Sequence, residues 1–190
     1  MNKQLIIVIA IGSLLVTCKG EDYTKELATI DSLKRVLVST DSIIQSVDPA
    51  DVTKKSEEIS NNSKFIQFNV NKLKDTLDFN TALLLTEYRQ TGKSFKNMAE
   101  NIERMEKAMD SAKVSLDNLA HDLTNHSLAE GVDAKTSVNA EATQIGEMHA
   151  FAAEMVQKKQ ETRALYDSML PKVNEFVQQM SVKLSAIQPK

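Results

Sequence analysis

The chain has 190 residues, with 23 Lys+Arg against 26 Asp+Glu and a formal net charge of −3. So near-neutral a balance excludes a generic nucleic-acid binder, which carries a basic patch or stripe. Five Gly and three Pro are too few for the many turns of a β-sandwich or barrel. Ala, Lys, Glu, Leu, Met and Gln dominate instead, a composition that predicts long helices.

Residues 1–18 read MNKQLIIVIAIGSLLVTC. Lys3 and the amino terminus form a positive n-region, and Leu5–Val16 is an apolar stretch of twelve residues. A spanning helix needs about 20 apolar residues, so this segment reads as a signal peptide rather than a membrane span. Its end, Leu15-Val16-Thr17-Cys18, resembles the lipobox of bacterial lipoproteins. The resemblance implies removal of residues 1–17, diacylation of Cys18 and acylation of the new amino group. Lys19 after the cysteine, in the same sorting scheme, implies the outer membrane. Lys19-Gly20-Glu21-Asp22 is similar to the surface-export tag of Bacteroidota lipoproteins. The expected location is thus the cell envelope, lipid-anchored at the outer membrane, on its periplasmic or surface side. Cys18 is the sole cysteine, so no intramolecular disulfide is available and packing alone holds the fold.

Beyond a tether at residues 18–23, residues 24–190 read as one helical bundle domain. In the first segment Leu27, Ile30, Leu33, Leu37, Ile44 and Val47 recur at helical spacing. Asp48-Pro49 closes that helix and opens the next, with Asp48 as N-cap and Pro49 at the first helical position. The second segment carries Val52, Ser56, Ile59, Ser63, Ile66, Val70, Leu73 and Leu77 on one stripe, and a reversal is expected at Asp78–Thr81. The third runs from Leu84 to Leu123 in heptads, broken in composition only by Thr91, with Gly92 as the point of an expected kink. Asn125–Ala140 reads as the next loop. The fourth segment, about Glu141 to Ile187, has two adjacent apolar stripes and an expected kink at Pro171.

The expected fold is an all-α, elongated antiparallel four-helix bundle with coiled-coil-like packing. A hairpin about residues 125–140 pairs residue i of the third helix with roughly residue 265 − i of the fourth. Alternating directions would then put the Asn125–Ala140 tip farthest from Cys18, where a protein partner is expected to bind.

Chemistry-bearing motifs are sparse. The chain has no Gly-rich phosphate loop, no G-x-S-x-G and no H-E-x-x-H, so neither catalysis nor a cofactor is expected. His121 and His126 are five apart and point to different sides of a helix, whereas Asp122 and His126 share a side. His149 with Met148 raises a copper-type site, against the plainer reading of a half-buried imidazole. No metal ligand set is assigned. Seven methionines on the seams read as core filler. Lys159 and Arg163 break the apolar pattern of the fourth segment, and register-fixing ion pairs are their expected role. The leading reading is a non-enzymatic scaffold or binding module. The alternatives are a carrier of a small ligand or metal ion, or a hydrolase without a recognisable motif.

Overall fold

The structure, a computed structural model, describes residues 21–73 and 76–187. All regular structure among them is helical: α1 (Thr24–Ser46), α2 (Pro49–Leu73), α3 (Phe79–Thr124) and α4 (Ala134–Ile187). At 1.5 Å per residue α3 is about 69 Å long and α4 about 81 Å. The elongated all-α bundle expected from the sequence is present, with four helices. How the first two join differs.

Helices α1 and α2 do not fold back on each other. Tyr23 meets His126, Lys34 meets Asp117 and Asn62 meets Tyr88. The two residue numbers sum to about 150 at each contact. A single antiparallel register against α3 therefore runs through α1 and α2 alike. They form one rod, bent at Val47-Asp48, and the cross-section holds three helices. Against α4 this rod runs parallel, with Thr40 on His149, Asp51 on Arg163 and Glu58 on Tyr166.

The cause is visible in the buried positions. Buried Ile30, Leu33, Leu37, Thr40, Ile44 and Val47 step by three and four, and so do buried Val52, Ile59, Ile66 and Asn69 together with half-buried Lys55, Asn62 and Leu73. Between Val47 and Val52 the step is five. One extra residue has entered the heptad pattern, and Asp48 absorbs it with φ of 55°. Left-handed backbone is tolerated by Asp because its short side chain bonds locally. Here Asp48 Oδ1 accepts from the Asp51 amide at 3.1 Å, so Asp48 ends α1 and caps α2 at once. Val47 and Val52 both remain fully buried, so the core row continues through the bend.

The chain reverses between α2 and α3 as expected, but ahead of Asp78 rather than over Asp78–Thr81: α2 ends at Leu73, and Phe79, Asn80 and Thr81 already belong to α3. Asp78 caps α3, accepting from the Thr81 amide at 3.0 Å and the Thr81 hydroxyl at 2.6 Å. Within α3, Gly92 and its neighbours stay helical, and the reason for the glycine is proximity. A Cβ there would stand 2.5 Å from Ile59 Cγ2 of α2.

The loop between α3 and α4 is Asn125–Asp133, shorter than the expected Asn125–Ala140. His126 has φ of 50°, Ser127 N–H donates to Asp122 O at 2.9 Å and His126 N–H to Leu123 O at 3.4 Å, a Schellman ending. Asp133 then caps α4 by accepting from the Thr136 amide at 2.8 Å. Polar residues 135–137 read as loop in the sequence are thus the first turn of a helix. The shorter loop shifts the hairpin: Ser115 meets Glu141 and Tyr88 meets Tyr166, so paired numbers sum to about 255 rather than 265. Pro171 lies within α4 on its solvent side.

Gly92→Ala sets two effects against each other. Helix propensity favours Ala by about 1 kcal/mol, whereas forcing a methyl into a closed contact costs about 1–3 kcal/mol. The expected net is a loss of stability in urea titrations. In an Ile59→Ala background the 2.5 Å contact is removed and only the residue-59 Cβ, 3.1 Å away, has to give, so Gly92→Ala should then cost much less or be neutral.

Candidate functional site

Cys18 and the signal segment expected at residues 1–17 lie outside the described residues. What the structure does fix is where the chain enters the bundle. Asp22 accepts from the Thr24 amide at 3.0 Å and so holds the first turn of α1. Next to it, the Tyr23 ring lies 5.6 Å from the His126 ring of the α3–α4 loop. The loop therefore shares the chain-entry end of the rod and is not its far tip. The far end is formed by the α2–α3 turn and the end of α4, because two joined helices in one direction replace the expected up-and-down pair.

The richest set of polar side chains sits just past the bend, on the seam of α2 and α4. Arg163 Nη1 reaches Asp51 Oδ2 at 3.0 Å, and its Nε binds Asp167. Lys55 lies 4.0 Å from Asp51 and places its ammonium 4.5 Å above the Tyr166 ring. The Tyr166 hydroxyl donates to Glu58 Oε1 at 2.7 Å. Tyr166 in turn stacks on Tyr88 (centroids 6.2 Å apart) and meets Phe95 edge-on (6.1 Å), while Asn62 donates to the Tyr88 hydroxyl at 3.1 Å. Next to the break that Lys159 and Arg163 make in the apolar pattern of α4, rings and ion pairs thus occupy the seam. Arg163 has the register-fixing role expected of it, but its partner is α2. The 265 − i pairing expected from the sequence puts Lys159 opposite Glu106 and Arg163 opposite Ile102, and the observed register removes both pairings. Lys159 is half-buried in the core row between Met155 and Thr162.

Burial pushes the Tyr166 phenol far above its ordinary range, and the bond to Glu58 adds to this. Burial also raises Tyr88, partly offset by the bond from Asn62.

The histidines do not converge. His121 is exposed beside Asn125, and His126 turns to Tyr23 because α3 ends at Thr124. Asp122 instead accepts from the Ser127 hydroxyl at 3.1 Å. His149 faces α1: Thr40 Oγ1 donates to Val36 O at 2.8 Å, so His149 Nδ1, 3.0 Å away, is the donor to Thr40. Among the described residues no three His, Cys, Asp or Glu side chains stand together as a metal site. Met98, Met105, Met109, Met148, Met155, Met169 and Met180 are all buried in the core. One polar defect is present: Glu141 Oε1 accepts from Ser115, but its Oε2 is buried without a partner.

Cavities occur along the outer groove between the α1–α2 rod and α3. The one nearest the far end, about 250 Å³, is floored by Ile66, Val70, Leu77, Ala82 and Leu85. The next, about 240 Å³, lies over Gly92 with Lys64, Arg89, Lys93 and Lys96 at its rim. A wider one of about 760 Å³ continues past Glu100, Glu103 and Glu106. Sequence reading missed this groove, although the alternation of charge sign along α3 was there to see. No family model, curated protein or solved structure matches the chain. No helix of the described residues is long and apolar enough to cross a membrane.

Two measurements check this geometry. Raised phenol pKa values mean that the fold favours neutral Tyr88 and Tyr166. Their contribution is complete below the unfolded tyrosine pKa of about 10 and is lost as pH rises above it. Melting temperature should fall above about pH 10 in step with tyrosinate absorbance. Tyr166→Phe should flatten that fall and cost about 1–3 kcal/mol at neutral pH by removing the donor to Glu58. In a Cys18→Ser chain, cysteines at Tyr23 and His126 should join through a short bismaleimide, whereas Tyr23 paired with Phe79 should not.

Proposed function

We propose that this chain is a lipid-anchored, non-enzymatic envelope lipoprotein whose helical rod serves as a scaffold or binding module. The outer membrane is the anchoring surface, and Cys18 is the attachment point. The observation that carries the reading beyond the signal resemblance is the contact of Tyr23 with His126. It makes one end of the rod the entry end, five residues from Cys18, and sends α1 and α2 away from it without returning.

Charge distribution supports the same orientation. Residues 21–48 and 103–155, the half nearest the entry, carry 16 acidic and 7 basic side chains. Residues 49–102 and 156–190 carry 10 acidic and 14 basic. Anionic lipid headgroups repel the acidic half and favour a rod standing off the surface. A protein partner at the Asn125–Ala140 segment would then meet it beside the lipid surface. The far turn is the part held out, and it shows exposed Phe68 and Phe79.

Cys18→Ser should abolish palmitate labelling and move the protein from the membrane to the soluble fraction. Several acyl chains anchor essentially permanently, one only marginally, so the difference is all or none. Unchanged labelling and retention would overturn the proposal.

A further inference from the structure

The outer face of α3 carries its charges in blocks. Arg89, Lys93 and Lys96 follow one another at spacings of four and three, and Glu100, Glu103, Glu106 and Asp110 continue the row at four, three, three and four. Helical spacing of this kind keeps all seven on one side of α3, beside the groove shared with α1 and α2. On the opposite wall Lys64 joins the basic block, and Asp41 stands with Glu106 and Asp110 in the acidic one. Arg89 and Lys93 are like charges one turn apart, a placement that weakens a helix. Neither has a carboxylate within ion-pair distance among the described residues.

A row that is positive at one end and negative at the other is complementary to itself when reversed. We infer that this face pairs with the same face of a second copy of the chain in an antiparallel, two-fold symmetric dimer. An axis passing beside Ala99 sets Lys96 against Glu103, Lys93 against Glu106 and Arg89 against Asp110 of the second copy, and each pair occurs twice. Glu100, next to the axis, is already flanked by Lys96 and Arg104 at 3.7 Å each. Three bases stand in or beside the acidic block, and each is held by one of its acids: Arg104 by Glu100 at 3.7 Å, Lys107 by Glu103 at 2.6 Å and Lys113 by Asp110 at 3.3 Å. This leaves Glu106 as the acid without an ion pair of its own among the described residues.

Apolar complementarity falls in the same register. Val38 and Val114, 69% and 60% exposed, lie one helical turn from Asp41 and Asp110 of the acidic block. The axis that pairs the charges brings Val114 opposite Leu85 of the second copy, at the cavity floored by Ile66, Val70 and Leu77. A second copy is thus the occupant whose charge and apolar groups both match. The paired stretch, Leu85 to Val114, is about 45 Å long. The pairing does not depend on lipidation. Where both chains are lipidated, their attachment points stand at opposite ends of the pair, so two rods that stand off the lipid pair in this way only across two facing membrane surfaces.

The test uses the full chain carrying Cys18→Ser, followed by light scattering coupled to gel filtration. The expected result is a dimer at about 50 mM salt whose dissociation constant rises about tenfold or more by about 500 mM, as exposed ion pairs are screened. Arg89→Glu/Lys93→Glu/Lys96→Glu should be monomeric, as should Glu103→Lys/Glu106→Lys/Asp110→Lys. Helical circular dichroism of each variant confirms that it is folded. Mixing the two variants should restore a dimer, since the bases of one then face the acids of the other. A monomeric parent chain at every salt concentration would overturn the inference. A dimer that survives both triple substitutions would do so too, as would a folded pair that fails to associate on mixing.

Discussion

Continuity of one apolar row through three rods is the constraint on which this structure depends. Each rod presents buried residues at steps of three and four, and a bundle of this length holds only while the rows stay in phase. The α1–α2 rod has one residue too many. A helix that ignored it would carry every position after Val47 about 100° round, off the core. Asp48 removes the error in a single left-handed step, and Pro49 restarts the helix where its missing amide proton costs nothing. The bend, the parallel pairing with α4 and the position of the far end all follow from that step.

Polar contacts have a different task. Core rows of Leu, Ile, Val and Met are alike from one heptad to the next, so burial alone would allow two rods to slide by seven residues. The cluster around Tyr166 occurs at one level only. Arg163 on Asp51, Lys55 over the ring and the phenol on Glu58 are satisfied in one register and broken in any other. A displaced register would leave half-buried charges without partners, which is dearer than the modest gain each pair brings when formed. Thr40, with its hydroxyl shared between Val36 and His149, marks a second level in the entry half.

Much of this was legible in the sequence because it is local. Helix stripes, the Asp48 and Asp78 caps and the methionine-filled seams rest on residues within one or two turns of each other. The direction of α2 was not legible from Asp48-Pro49, since a bend and a hairpin can use the same two residues. The discriminating signal was the phase: burial moves from Val47 to Val52 and then keeps its rhythm. The start of α4 was hidden because Thr136, Ser137 and Asn139 are loop formers by composition, whereas Asp133 capping Thr136 makes them a first helical turn. The error of a few residues there displaced the whole hairpin register and with it the partner of Arg163. Cys18 is legible only through its resemblance to a lipobox.

The end-to-end joining of α1 and α2 also decides how the rod bears tension. A pull between Tyr23 and the turn at Asp78 acts along the axis of one rod, with α3 and α4 alongside it. Their contacts are then loaded in shear, all levels together, rather than peeled apart one after another as in a hairpin pulled from its open end. Between Thr24 and Leu73 that load path leaves helical backbone at Val47-Asp48. Arg163 bridges from α4 to Asp51, three residues beyond Asp48, and so splints the joint at its weakest point.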